Sequence, residues 1–197
     1  MRVLSGRWID RAILLGCLAG TALLAGCGNQ PKAGLLCPPV SIMGEANRMT
    51  VYRPGPGRDL SDIAYEAQLS SFEGSCTYLA ANKEQENLNK YHEVSLNLRP
   101  RFRVTPGPAL TGQRVTLNYF VAMPAYYPNP EGRADFSRTI DIPPTRTPVE
   151  FTDTEIQINI PLGENRVGAT TEVYLGFALS EEQLQQNRGR SSGRLGP

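Results

Sequence analysis

Residues 94–104 read VSLNLRPRFRV. Val94, Leu96, Leu98, Phe102 and Val104 alternate with Ser95, Asn97, Arg99, Arg101 and Arg103. A side-chain period of two puts the first set on one face and the second on the other, as in a β-strand with one side on a core and one in water. A helical period would scatter the arginines among the apolar residues. Pro100 has no N–H to give to a ladder, so it marks an edge or a bulge.

Working outward, the same alternation recurs at Met49 and Val51, at Ile63, Tyr65, Ala67 and Leu69, and at Val115, Leu117, Tyr119 and Val121. It returns at Ile140 and Ile142, at Ile156, Ile158 and Ile160, and at Val173, Leu175, Phe177 and Leu179. The intervals hold RPGPGRD (53–59), TPGPALTGQ (105–113), YPNPEGR (127–133), PPTRTP (143–148) and PLGENRVGA (161–169). Proline and glycine there supply the fixed or positive φ that chain reversal needs. Seven or eight short strands with such turns predict an all-β chain of two antiparallel sheets packed face to face. An immunoglobulin- or fibronectin-like β-sandwich is the first expectation and a small open barrel the second. One short C-terminal helix is expected, because Ser180 and Gln183 have capping-box spacing and Glu181 and Glu182 suit a positive helix N-terminus. It should stop near Gly189, leaving 189–197 as a disordered tail.

The chain opens differently. Arg2, Arg7 and Arg11 precede an uncharged run from Ala12 to Ala25. That run matches a signal-peptide core of roughly 14 residues and falls short of the ~20 that span a bilayer. It closes on Leu24-Ala25-Gly26-Cys27, which resembles a bacterial lipobox, where small residues admit a signal peptidase and a cysteine thiolate takes the lipid. Leu14-Leu15-Gly16-Cys17 has the same pattern but too few apolar residues before it, and an ordinary secretory signal is the plainer alternative. The expectation is a signal peptide over 1–26, acylation at Cys27 and a short tether over 27–36. Gly28 in place of aspartate favours the outer membrane, by likeness to enterobacterial lipoprotein sorting.

Removing the leader takes Arg2, Arg7, Arg11 and Asp10 from totals of 20 basic and 19 acidic residues, so the remainder stays near neutral. That balance gives no support to nucleic-acid binding. Cys37 and Cys76 are an even pair in an exported chain, most simply a disulfide; free thiols or a two-cysteine metal site are the alternatives. With one histidine and no CxxC, no metal or cofactor is expected.

His92 is the only histidine, and no GxSxG setting accompanies it, so no catalytic residue is assigned and the chain is read as not an enzyme. The pairs Asp59 with Asp62 and Asp153 with Glu155 read as solvated loop charges before acid–base groups. GPGRD lacks the lysine-serine of a phosphate loop. Three features are candidates for partner binding. Arg99, Arg101 and Arg103 on one strand face would clamp an anion, against the plainer reading of a solvated face balanced by acids. Tyr126 and Tyr127 sit in the loop MPAYYPNPEG, where they would anchor a partner or pack on their own prolines. Arg53 and Arg58 flank the glycines of YRPGPGRDL, where a turn tied by Arg58 to an acid is the simpler role.

The stretches CPPVSIMGEANRMTVYRPGPGRDLSDIAYEAQLSSFEGSC (37–76), VTLNYFVAMP (115–124) and EVYLGFALSEEQLQQNR (172–188) resemble a group of small, uncharacterised outer-membrane lipoproteins of alphaproteobacteria. The likeness spans about residues 37–188, the expected sandwich domain. It implies address and fold and supplies no catalytic residues. The combined expectation is an outer-membrane lipoprotein, lipid-anchored and facing the periplasm. It would act as a non-enzymatic scaffold toward another envelope protein or an anionic envelope component. A tethered ligand-binding or hydrolytic domain is the alternative.

Overall fold

The computed structural model describes residues 36–80, 91–162 and 170–192. The expected signal peptide, Cys27, the expected tether up to residue 35, most of the PLGENRVGA turn and residues 193–197 lie outside the described residues.

The described chain is mostly β, in two sheets with one C-terminal helix. The opening stretch belongs to β4 (Tyr91–Pro106), which pairs antiparallel with the 18-residue β3 (Ile63–Ala80) over nearly its whole length. β2 (Arg48–Tyr52) lies on the other side of β3. The second side of β4 is shared: β7 (Val149–Thr152) covers Arg101 to Val104 and β8 (Ile156–Pro161) covers Glu93 to Leu98. Pro100 stands at the seam between these two partners, where its carbonyl accepts from the backbone N–H of Asp153 at 2.9 Å. Its missing N–H therefore deprives no ladder. This corrects the expectation of an edge or bulge at Pro100; the irregularity lies in β3 between Leu69 and Ser71, across from Phe102 and Arg101.

The other sheet runs β1 (Val40–Ile42), β9 (Val173–Phe177), β5 (Arg114–Ala122), β6 (Arg133–Asp141). β1 lies parallel to β9, so the pairing is not antiparallel throughout. Among the described residues there are nine strands, against the expected seven or eight. β1 and β7 are three and four residues long, too short to display an alternation. β3 runs past Leu69 because the bulge resets its phase. Tyr65, Ala67 and Leu69 are buried before it, and Phe72, Cys76 and Tyr78 pack against the core after it.

The inward faces form one core centred on Phe102, whose ring lies 5.0 Å from Tyr119, 5.7 Å from Phe177 and 6.2 Å from Phe151. Burying each such ring stabilises the fold by about 1.5–3 kcal/mol relative to leaving it in water.

The helix α1 spans Glu181–Ser192 and so passes Gly189, where it was expected to end. Gly189 has open space around its Cα, and nothing there forces a stop. The capping box forms as expected: Gln183 N–H donates to Ser180 Oγ at 3.3 Å and Ser180 N–H to Gln183 Oε1 at 2.9 Å. No apolar stripe holds this helix down. Gln183 Nε2 donates to the Thr50 carbonyl at 3.0 Å, and Asn187 Nδ2 to those of Arg48 and Glu45 at 2.8 Å each. Arg48 and Thr50 are alternate residues of the edge strand β2, so the helix caps outward carbonyls that would otherwise invite another strand. Among the described residues no helix is long and apolar enough to cross a membrane.

Candidate functional site

The strand that sets the fold also carries the arginine row. Arg99 and Arg101 both face Glu73, at 3.7 and 2.6 Å, and Arg103 faces Glu150 at 3.4 Å. The acids come from the neighbouring strands by register, Glu73 opposite Arg99 and Glu150 opposite Arg103. Three guanidinium groups are thus balanced by two carboxylates, and all five are about half exposed. Such pairs are each worth about 0–1 kcal/mol and are screened by salt. The row is a partly neutralised face rather than an open anion clamp. Farther along, the same face turns neutral: Ser95 Oγ accepts from Gln157 Nε2 at 2.9 Å, and Asn97 and Asn159 stand in adjacent register positions.

The two acid pairs differ from the solvated charges expected of them. Asp59 and Glu155 are exposed, but Asp62 and Asp153 are buried. Asp62 contacts Arg53 at 2.5 Å and accepts from the Asp59 backbone N–H at 3.1 Å. The loop packs so closely on Asp62 that a methyl group at Gly57 would overlap its carboxylate, and a side chain there would have to displace it. Arg58 reaches Glu182 of α1 at 2.7 Å and lies over the Tyr52 ring at 5.3 Å. Tyr52 Oη in turn accepts from Gln186 Nε2 at 2.6 Å. Between this loop and the helix is an open cleft of about 400 Å³, bounded by Tyr52, Arg53, Arg58, Glu182 and Gln186.

Asp153 lies between β7 and β8 at 1% exposure and ties the two sheets together. It accepts from Tyr119 Oη of β5, from Arg138 Nε of β6 at 2.8 Å, and from the Thr154 N–H at 2.7 Å. Burial pushes the Asp153 carboxyl up, but the Tyr119 hydroxyl, the Arg138 guanidinium and the Thr154 N–H together outweigh it and hold the group below the ordinary aspartate range. Burial, reinforced by the bond to Asp153, drives the Tyr119 phenol upward. Near neutral pH the tyrosine keeps its proton and the aspartate its charge. General acid–base catalysis needs groups poised near the working pH, and this pair is displaced away from it in both directions. Its role is to lock the two sheets.

His92 is exposed near the start of β4. Among the described residues no group of three or more His, Cys, Asp or Glu side chains could hold a metal ion.

The remaining features gather where the chain enters the domain. Cys37 and Cys76 form a disulfide with Cα atoms 5.7 Å apart, inside the range the bond requires. It fastens the segment before β1 to the far half of β3, in the other sheet. Tyr78 Oη donates to the Leu36 carbonyl at 2.6 Å, and its ring meets Tyr91 edge-on at 5.5 Å. Tyr126 and Tyr127, expected to act together, separate. Tyr126 turns back and donates to the Pro161 carbonyl at 3.0 Å, while Tyr127 projects with 87% of its surface exposed. The structure therefore brings the cysteine pair and the tyrosine loop to one end of the domain and leaves the arginine row on its flank. The lock of Tyr119, Arg138 and Asp153 was not foreseen, since FTDTE reads like any polar turn between strands.

No protein-family model, curated protein sequence or solved structure matches the chain.

Proposed function

We infer that this chain is an envelope lipoprotein, acylated at Cys27, held at the outer membrane and facing the periplasm, where its β domain serves as a non-enzymatic scaffold. The observation that carries the reading is the cationic then apolar leader ending in Leu24-Ala25-Gly26-Cys27, placed a few residues ahead of a disulfide-fastened β domain. Several acyl chains, at about 0.8 kcal/mol per buried CH₂, would make detachment very slow. Kinship with the alphaproteobacterial lipoproteins named above is part of the same proposal. Likeness to immunoglobulin or fibronectin domains is confined to the two-sheet architecture, because the successive strands β2, β3 and β4 are neighbours here, unlike the A-B-E-D order of immunoglobulin sheets.

A scaffold role is supported by the filled core, by the charge-balanced arginine face and by the displacement of the buried acid and phenol away from catalytic range. The partner class we favour is another envelope protein. The cleft between the 53–58 loop and α1 supports the second reading, a tethered ligand-binding domain, since about 400 Å³ lies within the range of small-molecule sites. Growth with radioactive palmitate tests the anchor: the wild-type chain should take label and Cys27→Ala should not. Label persisting in Cys27→Ala would remove the anchor from Cys27. In-cell crosslinking from Arg101 and from Arg58 then separates the two readings, because a protein adduct at Arg101 supports a scaffold and a small-molecule adduct at Arg58 supports a ligand site.

A further inference from the structure

We propose that the end of the domain bearing Leu36, Leu79 and Tyr127 rests on the lipid headgroups of the leaflet that holds the acyl anchor, with the Tyr127 ring in the interface. The proposal builds on the anchor at Cys27 and adds the orientation of the body.

The strand register brings these residues together. Leu79 lies opposite Glu93 and Glu93 opposite Pro161, and the Pro161 carbonyl is the one that Tyr126 holds. Tyr127 follows directly. On the other side Tyr78, adjacent to Leu79, holds the carbonyl of Leu36. Leu36 is 70% exposed, Leu79 39% and Tyr127 87%. Single exposed apolar residues are ordinary on a protein surface, and Leu60, 80% exposed, is one such at the opposite end of β3. What distinguishes the first end is where the tether joins.

Cys27 lies nine residues before Leu36, so the chain between them reaches no more than roughly 30 Å. Its far end is not free to wander over the body, because Leu36 is bonded to Tyr78 and Cys37 to Cys76. β3, at about 3.3 Å per residue, carries its two ends roughly 50 Å apart. A tether shorter than the body, fastened at one end, draws that end to the bilayer and keeps Leu60 away. The residues that arrive suit the location. Tyr78 and Tyr126 spend their hydroxyls on the carbonyls of Leu36 and Pro161, while Tyr127 projects, and an exposed tyrosine favours the headgroup layer because its ring is apolar and its tip is wet.

The test uses the mature lipidated protein, in which loss of the leader removes Trp8, the only tryptophan. Tyr127→Trp, Leu79→Trp and Leu60→Trp are reconstituted separately into phosphatidylethanolamine–phosphatidylglycerol vesicles containing a lipid brominated on its acyl chain. Each preparation is floated on a density gradient, and Cys27 is weighed for acyl groups. The proposal expects all three to float, with tryptophan emission quenched about twofold or more in Tyr127→Trp and Leu79→Trp and unchanged in Leu60→Trp. Flotation with no quenching at 127 or 79, or with equal quenching at 60, overturns the orientation and leaves the anchor standing. Emission at 127 that is blue-shifted but unquenched, together with crosslinked dimers, assigns the face to a second copy instead and also overturns it. Failure to float, with no acyl mass on Cys27, overturns anchor and orientation together.

Discussion

At the scale of single residues, Asp153 is the side chain on which the joining of the two sheets most depends. Asp153→Ala leaves Arg138 and the Tyr119 hydroxyl without their acceptor, and breaking a buried pair by removing one partner should destabilise by about 3 kcal/mol. Urea unfolding at neutral pH measures it. Because the folded-state carboxyl is held below its ordinary value, its stabilisation is complete above the unfolded aspartate range near ~4 and disappears as pH falls through the lower folded value. Asp153→Asn should therefore be less stable than wild type near neutrality, with the gap closing in strong acid; a gap independent of pH would show that the charge contributes nothing. None of this was visible beforehand, because a sequence shows that Asp153 follows a strand but not that Arg138 and Tyr119 converge on it from the other sheet. Asp62 was hidden for the same reason: its burial depends on Arg53 and on the close approach of Gly57.

At the scale of elements, α1 is held by side-chain amides in place of a buried apolar face. Asn187→Ala removes both donations, to the carbonyls of Glu45 and Arg48, and should destabilise by about 1–2 kcal/mol. Amide exchange in β2 should accelerate with it, since the helix covers that strand's outer edge. Unchanged β2 exchange would mean the helix does not guard the edge. The Cys37–Cys76 bridge closes a separation of 39 residues, and in the chain-entropy model its loss through Cys37→Ser with Cys76→Ser should cost about 4 kcal/mol, read as a lower urea midpoint. The helix start was legible because a capping box is local chemistry, whereas its docking was not, because two amides in a polar helix carry no periodic signal. Long alternations announced β4, β5 and β8. The three residues of β1 and the four of β7 could not, and the bulge after Leu69 interrupted the phase that would have carried β3 to Ala80.

At the scale of the whole molecule, two independent patterns divide the labour. Alternation of apolar and polar residues yields the two-sheet body, since it depends only on which face meets water. The leader carries the proposed address, since a charged-then-apolar segment ending at a cysteine in a lipobox-like setting would be read by export and acylation machinery rather than by folding. The proposed orientation of the body on the membrane follows from neither alone and rests on the tether, the disulfide and the exposed tyrosine taken together. The most direct test of the central claim is the intact mass of the protein extracted from cell envelopes. The account predicts a chain beginning at Cys27 and heavier than its sequence by the mass of its acyl groups. A full-length, unacylated chain beginning at Met1 and recovered from the soluble fraction would contradict it.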